Sequence, residues 1–384
     1  MRKQNKKILT FILGLFVFLR AITLIAAFYG TKLLKFNTAS FPTADWETFM
    51  PKFNFPLIWS WANFDGFHYL TIAEKGYLFG STQAFFPLFP ILVRLGKVLI
   101  GNFLLSGLLL NHLFFAASLC VFYKLIRLDF KKKVGFWALI FLTFFPTSFF
   151  FLSLYTESLF LLLVLLSFYL WRKKRHFLAG FVGALASATR IAGIFLVPAF
   201  LYEIRKPPVT SRQSPVWKKF FYALLPSIGL LSYMFYLKSK FGDPFLFAHV
   251  QEGFGGGRQT DKLVLLYQVF WRYLKMVLTV NRTNPLYFTV WLEVGSAALF
   301  LALLVFAYFK KVRKSYLIFA ILAYLLPTLT GTFSSMPRYV LGLFPGFIAL
   351  ALIKNKTLRF AWLATSLILL FICTIMFTRG YWVA

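Results

Sequence analysis

The sequence predicts an all-α, polytopic membrane protein built as a single domain of about eleven membrane-spanning helices, within a range of 10–12, with interfacial helices in the first external loop. Three observations carry that expectation. Of 384 residues, 60% are hydrophobic, 21% are aromatic, and mean hydropathy is +0.74, more apolar surface than a water-soluble domain of this size can bury. The apolar residues fall in runs long enough to cross lipid. The 42 basic residues, against 11 acidic ones, gather in short clusters between those runs, as cytoplasmic loops do. In a soluble protein a net charge of +31 would suggest nucleic acid. Here the spacing of the clusters excludes that class and leaves membrane lipids as the partner of the basic surface.

In chain order, residues 8–30 form the first span behind a basic N-terminus, with Arg20 facing the protein interior or a groove. The run is too long for a signal-peptide core and lacks a small-residue cleavage site, so an uncleaved anchor is expected. Residues 31–85 form a first external loop. The segment 86–100 is short and carries Pro87, Pro90, Arg94 and Lys97, which fits an interfacial helix or a crossing. Spans follow at 102–126, 134–152 and 159–171, separated by the basic cluster 131–133 and the external turn Ser153–Ser158.

Residues 177–204 are apolar but basic on both flanks, at Arg172–His176 and at Arg205-Lys206. Both ends therefore prefer the cytoplasm, and the segment reads as a hairpin. Its arms, about thirteen residues or roughly 20 Å each, fall short of a core about 30 Å thick. The turn near Arg190 must end in a recess within the protein. A cytoplasmic linker is expected over 205–219 and a second external loop over 238–284, with an amphipathic surface helix at 263–278. Spans at 220–237, 286–309, 316–333, 339–353 and 361–377 complete the chain. The N-terminus is expected inside and the C-terminus outside. Cys120 and Cys373 lie within apolar runs as small core residues, and no paired-cysteine or metal spacing occurs.

The first external loop holds an acid, a histidine and a cluster of aromatics together: Trp61-Ala-Asn-Phe-Asp65-Gly-Phe-His68-Tyr-Leu-Thr-Ile-Ala-Glu-Lys-Gly76-Tyr77, closed by Ala84-Phe-Phe-Pro-Leu-Phe-Pro90. The spacing predicts a helix over 66–75 with Asp65 as N-cap and Gly76 just past its end. Asp65 and His68, three apart, share one face. Asp65 is a helix cap or a functional acid. A carboxylate in a membrane groove is costly unless used, which favours function.

This stretch resembles the first luminal loop of the PIG-V family, the second GPI mannosyltransferase, and of its prokaryotic relatives, all GT-C glycosyltransferases. The pattern Trp-x-x-Phe-Asp-x-x-His-Tyr-x-x-Ile-Ala-x-x-Gly-Tyr followed by Ala-Phe-Phe-Pro-x-x-Pro carries the likeness. The family commonly has Arg-Trp-Asp where this chain has Asn63-Phe64-Asp65.

The resemblance implies a GT-C bundle and transfer of a hexose, mannose in the family, from a polyprenyl-phosphate donor at the outer face. The acceptor would be a lipid, glycan or protein, and the setting the cell membrane of a prokaryote. It places the catalytic acid of the first external loop at Asp65. Tyr155 and Glu157 fall in the external turn that lines the groove in related enzymes, although Glu157 also reads as an acid stabilised by a helix N-terminus. Ser334-Ser-Met-Pro-Arg338-Tyr resembles a late motif of the family. Arg338 there is either a phosphate ligand or a flanking cation snorkelling to headgroups. His68 is a substrate contact or an interfacial histidine bonded to backbone, and Arg190 would bind an anion in the hairpin recess. Gln251 and Arg258 are further substrate-binding candidates in the second external loop. No metal ligands are assigned and no cofactor is required, although some GT-C enzymes use a divalent ion. A lipid or glycolipid transporter would also need a groove with buried arginines. The inverted repeats common in transporters are not apparent here.

Overall fold

The computed structural model describes residues 2–37, 56–78, 80–204, 215–254, 258 and 263–384. Asp45, Glu47, Gly255–Gly257, Asp261 and most of the expected linker at 205–219 lie outside the described residues. Every regular element among those described is helical. In order they are α1 (Arg2–Leu33), α2 (Asp65–Lys75), α3 (Leu88–Ile100), α4 (Phe103–Ile126), α5 (Lys132–Thr143), α6 (Glu157–Arg172), α7 (His176–Ser187) and α8 (Leu196–Ile204). They continue with α9 (Val216–Leu224), α10 (Pro226–Phe241), α11 (Leu266–Thr279), α12 (Pro285–Phe309), α13 (Lys314–Thr328), α14 (Phe344–Leu352) and α15 (Lys356–Thr378), joined by short helical turns.

Five segments are long and apolar enough to cross a membrane among the described residues: Lys6–Leu33, Phe103–Ile126, Val216–Phe241, Pro285–Phe309 and Lys356–Thr378. Several expected spans are shorter than the apolar runs that suggested them. The run 134–152 is helical only to Thr143 and then turns irregularly into the short helical turn Ser148–Leu152. Helix α13 ends at Thr328, just after Pro327, which has no N–H to give the last turn and whose ring crowds the carbonyl four residues before it. The run 339–353 is regular only from Phe344, and at 9 residues α14 is roughly 14 Å long. The physical reason is burial. Phe344–Ala351 are all buried, and a helix enclosed by protein is apolar all round, as a lipid-facing one is.

Two helices carry an apolar stripe outward. On α3, Ile91, Leu95, Val98 and Leu99 are exposed while Phe89 and Val93 are buried. On α11, Tyr267, Trp271, Leu274 and Leu278 are exposed while Val269 and Tyr273 are buried. Both patterns suit a helix lying in a bilayer interface.

The segment 177–204 does reverse. After α7, Arg190 is extended and the turn Ile191–Phe195 folds back, so that a Cβ on Gly193 would meet Ser187 N at 2.3 Å and one on Gly183 would meet the Leu196 side chain at 3.3 Å. At the open end, Trp171 contacts both arms: its ring stacks on Phe200 of α8 at 4.1 Å and lies 4.7 Å from His176 at the start of α7. The tip is held from outside, where Leu88 N–H donates to the Ala188 carbonyl at 3.1 Å.

The basic turns meet at one end of the bundle. Arg172 donates through both terminal nitrogens to Asp129 at 2.7 and 2.8 Å, and to the Tyr316 hydroxyl at 2.8 Å. Glu203 accepts from Arg313 at 2.6 Å and from Ser315 at 2.5 Å. Helix α6, 16 residues or roughly 23 Å long, separates this end from Glu157. With Cys120 and Cys373 replaced by Ala, a cysteine at Ser81 should react with an impermeant maleimide applied to whole cells, while one at Lys173 should react only after permeabilisation. The reverse labelling would invert the orientation.

Candidate functional site: a buried charge cluster beside an aromatic cavity

The site is built on a strained turn. Phe64 has φ 57 and ψ −118, a conformation that non-glycine residues hold only where the surroundings fix them. Here they do. Asn63, fully buried, donates from Nδ2 to the Phe377 carbonyl at 2.8 Å, and its own carbonyl accepts from the Tyr155 hydroxyl at 2.8 Å. The Phe64 ring packs edge-on against Trp382 at 5.2 Å and lies 5.9 Å from Phe377. Leu154 N–H donates to the Trp61 carbonyl at 2.8 Å. The result is that Asp65 is the first residue of α2, whereas the spacing had suggested an N-cap. The N-cap is Phe64, whose side chain makes no capping bond. Gly76 ends the helix as expected, with φ 82 and its N–H donating to the Ile72 carbonyl at 3.0 Å.

The Asp65 carboxylate pairs with Arg338, which approaches from the far end of the sequence. Arg338 is 7% exposed and Asp65 is 14% exposed. The same guanidinium lies 3.6 Å from Glu157 through Nε, and Glu157 accepts from Arg190 at 2.7 Å. Four charges thus alternate in sign: Asp65, Arg338, Glu157, Arg190. Aromatic faces sandwich the cations: Arg338 lies 5.2 Å from the Tyr155 ring and 5.4 Å from Tyr339, while Arg190 lies 4.9 Å from Tyr339. Burial raises the Asp65 pKa, but the positive groups around it, Arg338 foremost with His68 and Arg258 behind, together hold the carboxyl below its ordinary value.

These groups open onto a cavity of about 580 Å³, whose lining includes Asp65, His68, Glu157, Arg190, Gln251, Arg258, Arg338 and Trp382. His68 stacks on Phe85 at 4.8 Å and meets the Phe254 ring at 5.8 Å. Its burial lowers its pKa and Asp65 restores it only in part, so the imidazole is neutral at pH 7. Gln251 accepts from Arg258 at 3.2 Å, leaving Arg258 with a neutral partner there. Tyr155 is absent from the lining. It is buried behind the cluster, its hydroxyl spent on Asn63 and its ring under Arg338. Sequence reasoning did not single out Asn63 or Trp382, since neither is charged. Among the described residues no three His, Cys, Asp or Glu side chains gather where a metal ion could be held.

A sequence profile of the mannosyltransferase (PIG-V) family matches residues 6–204, just over half of the chain. The chain belongs to the PIG-V mannosyltransferase family. It is 31% identical over 140 residues to GPI mannosyltransferase 2 of Schizosaccharomyces pombe, a match covering 35% of this chain and 30% of that protein. It is 29% identical over 152 residues to GPI alpha-1,6-mannosyltransferase 2 of Cricetulus griseus, covering 37% of this chain and 31% of that one. The matched part therefore spans less than a third of these relatives. Among solved structures, the chain is similar to an oligosaccharyltransferase of Archaeoglobus fulgidus, with a TM-score of 0.43 and 15% identity over 94% of this chain and 53% of the other. The PIG-V match includes Asp65, Tyr155, Glu157 and Arg190, whereas Gln251, Arg258 and Arg338 lie beyond it.

The pairing makes a stability prediction. Removing one member of a buried ion pair strands the other, at roughly 3 kcal/mol. Arg338→Gln should reach that figure, because it leaves Asp65 unpaired. Asp65→Asn should cost about half as much, since Glu157 remains 3.6 Å from Arg338. Denaturation in detergent should show the double variant less destabilised than the sum of the two by about 1 kcal/mol or more. Simple additivity would show that the pair contributes nothing.

Proposed function

We propose that the chain is an integral-membrane, GT-C-type glycosyltransferase. It takes a hexose, mannose by family, from a polyprenyl-phosphate donor and gives it to a hydroxyl of a lipid, glycan or protein acceptor at the external face. The observation that carries this reading is the convergence of Asp65, Glu157, Arg190 and Arg338, from four separate segments, on one wall of an aromatic cavity.

The roles follow from how far each charge is already committed. Asp65 is the general base, taking the proton of the acceptor hydroxyl as its oxygen bonds to the anomeric carbon. The bond from that carbon to the phosphate oxygen breaks, and its electron pair leaves with the polyprenyl phosphate. Arg338 serves two carboxylates and is nearly enclosed, so its role is to aim the base. Arg190, at 19% exposure, and Arg258, with its neutral partner, are the cations open to the leaving phosphate. Neutral His68 and Gln251 offer hydrogen bonds to sugar hydroxyls. Tyr155 acts by backing Arg338. The reading assigns no resident metal.

Purified protein in vesicles, given a C55 polyprenyl-phosphate [14C]mannose and extracted membrane lipids, should yield a labelled product. Donor carried across the vesicle intact, with no product, would favour lipid transport instead. Asp65→Asn should lower transfer by about 10²- to 10⁴-fold, the usual worth of a positioned base, corrected for the folded fraction. An active Asn variant would remove Asp65 from the mechanism and leave Glu157 as the next acid. Because Arg338 holds the Asp65 pKa down, the carboxylate is already ionised at pH 5. Its acid limb in the rate–pH profile should therefore fall below about pH 4. A limb near pH 6 that disappears in Asp65→Asn would contradict this assignment.

A further inference from the structure

One buried carboxylate has no place in the mechanism above. Glu293 sits in the middle of apolar α12, is buried, and does not line the cavity. An acid in that setting is expensive unless several donors meet it. The Tyr273 hydroxyl, from interfacial helix α11, donates to Glu293 Oε2 at 2.6 Å. The Ser335 backbone N–H and the Trp382 side chain also face the carboxylate.

These partners all lead to one place. The Tyr273 hydroxyl also accepts from Phe333 N–H at 3.1 Å and lies 3.1 Å from Thr332 Oγ1, which in turn accepts from Ser334 N–H at 3.0 Å. Arg272, beside Tyr273, donates to the Gly331 carbonyl at 2.6 Å. The loop 331–335 is thus pinned from one side by α11 and α12. Its last residue, Ser335, holds φ 66, a left-handed conformation that costs a serine energy and needs external support. Ser335 immediately precedes the helical turn Met336–Tyr339 that carries Arg338, and its carbonyl accepts from Arg338 N–H at 3.0 Å.

We infer that Glu293 is a positioning residue: by holding the Tyr273 hydroxyl, which in turn binds Phe333 N–H and meets Thr332, it fixes the loop that presents Arg338 to Asp65. Glu293 touches neither Arg338 nor the cavity, and acts only through that backbone. The inference rests on the glycosyltransferase reading for its catalytic consequence, but its structural core does not.

The test uses full-length protein in detergent with Glu293→Gln, which conserves volume but turns one acceptor into a donor. Tyr273→Phe, which deletes a single hydroxyl, is the second variant should the first fail to fold. Hydrogen exchange at Phe333–Arg338 should accelerate about tenfold or more in each, with α4 unchanged. With the C55 polyprenyl-phosphate mannose, kcat should fall about tenfold while donor KM stays within about threefold. In an Arg338→Lys background the same substitutions should cost little more, because the loop would then present a side chain already impaired. Unchanged exchange at 333–338 in both variants would overturn the inference. So would an equal fold-loss of transfer with and without Arg338→Lys. A wild-type protein that transfers nothing from this donor would sink the glycosyltransferase reading alone, since the exchange result still decides whether Glu293 holds the loop.

Discussion

A guanidinium that is 7% exposed is the constraint around which the rest of the molecule is arranged. Arg338 cannot shed its charge, and an arginine without partners in that position would cost several kcal/mol. Its partners come from 273 positions away, in Asp65, and from the start of α6, in Glu157. Bringing three chain segments to one point fixes the path of each. The 61–65 turn must hold Phe64 in a strained conformation, and the 331–335 loop must do the same for Ser335. The hairpin must turn where it does so that Arg190 reaches Glu157 at 2.7 Å. Four hydrogen bonds near the site serve these turns: Asn63 to Phe377, Tyr155 to Asn63, Tyr273 to Glu293, and Thr147 to the Pro337 carbonyl. The strain is the local cost of a charge cluster whose members cannot be neighbours in sequence.

Which parts were legible beforehand follows from what each residue type must do wherever it sits. Basic clusters mark the ends of apolar runs, so Arg172, Lys131–Lys133 and Arg313 correctly grouped the turns that meet at one end. Two basic flanks around 177–204 forced a reversal near Arg190 for the same reason. Span boundaries were poorly legible, because lipid and a protein interior select the same side chains. The run 339–353 and the run 134–152 are both apolar throughout, yet α14 and the Ser148–Leu152 turn are enclosed by protein. Hydropathy reads the environment's polarity and carries no information about which apolar medium supplies it.

The site divides in the same way. Charged residues isolated in apolar sequence stood out, and His68, Glu157, Arg190, Gln251, Arg258 and Arg338 line the cavity with Asp65. The cap was misread because Asp is chosen at helix starts for two different reasons, and only the location of Arg338 separates them. Tyr155 sits one step back for a reason that a short motif cannot express: its neighbours in space are Asn63 and Arg338, 92 and 183 residues away in sequence. Glu293 carried a visible signal, a lone acid within an apolar helix, but its partners lie on α11 and in the 331–335 loop.

The role of general base proposed for Asp65 meets an apparent conflict in the low basicity that Arg338 imposes on it. The strength of a base matters most when the proton must leave early, from a hydroxyl that is still weakly acidic. In glycosyl transfer the anomeric centre gains positive character as the bond to phosphate lengthens, an oxocarbenium-like change. The acceptor oxygen then becomes acidic as it begins to bond, and a carboxylate of ordinary or lower basicity can take the proton late. What the base must supply in that case is position, which is worth more than a unit or two of pKa. A carboxylate fixed by Arg338 on a turn with no freedom at Phe64 provides position. In the proposed transfer the alternating charges would serve the other half of the reaction. The two acids and two bases sum to zero, so under that proposal Arg190 would turn part of its attraction from Glu157 to an incoming phosphate without leaving a bare charge in the cavity. Arg258, which donates to neutral Gln251, would add the extra positive charge that such a phosphate requires.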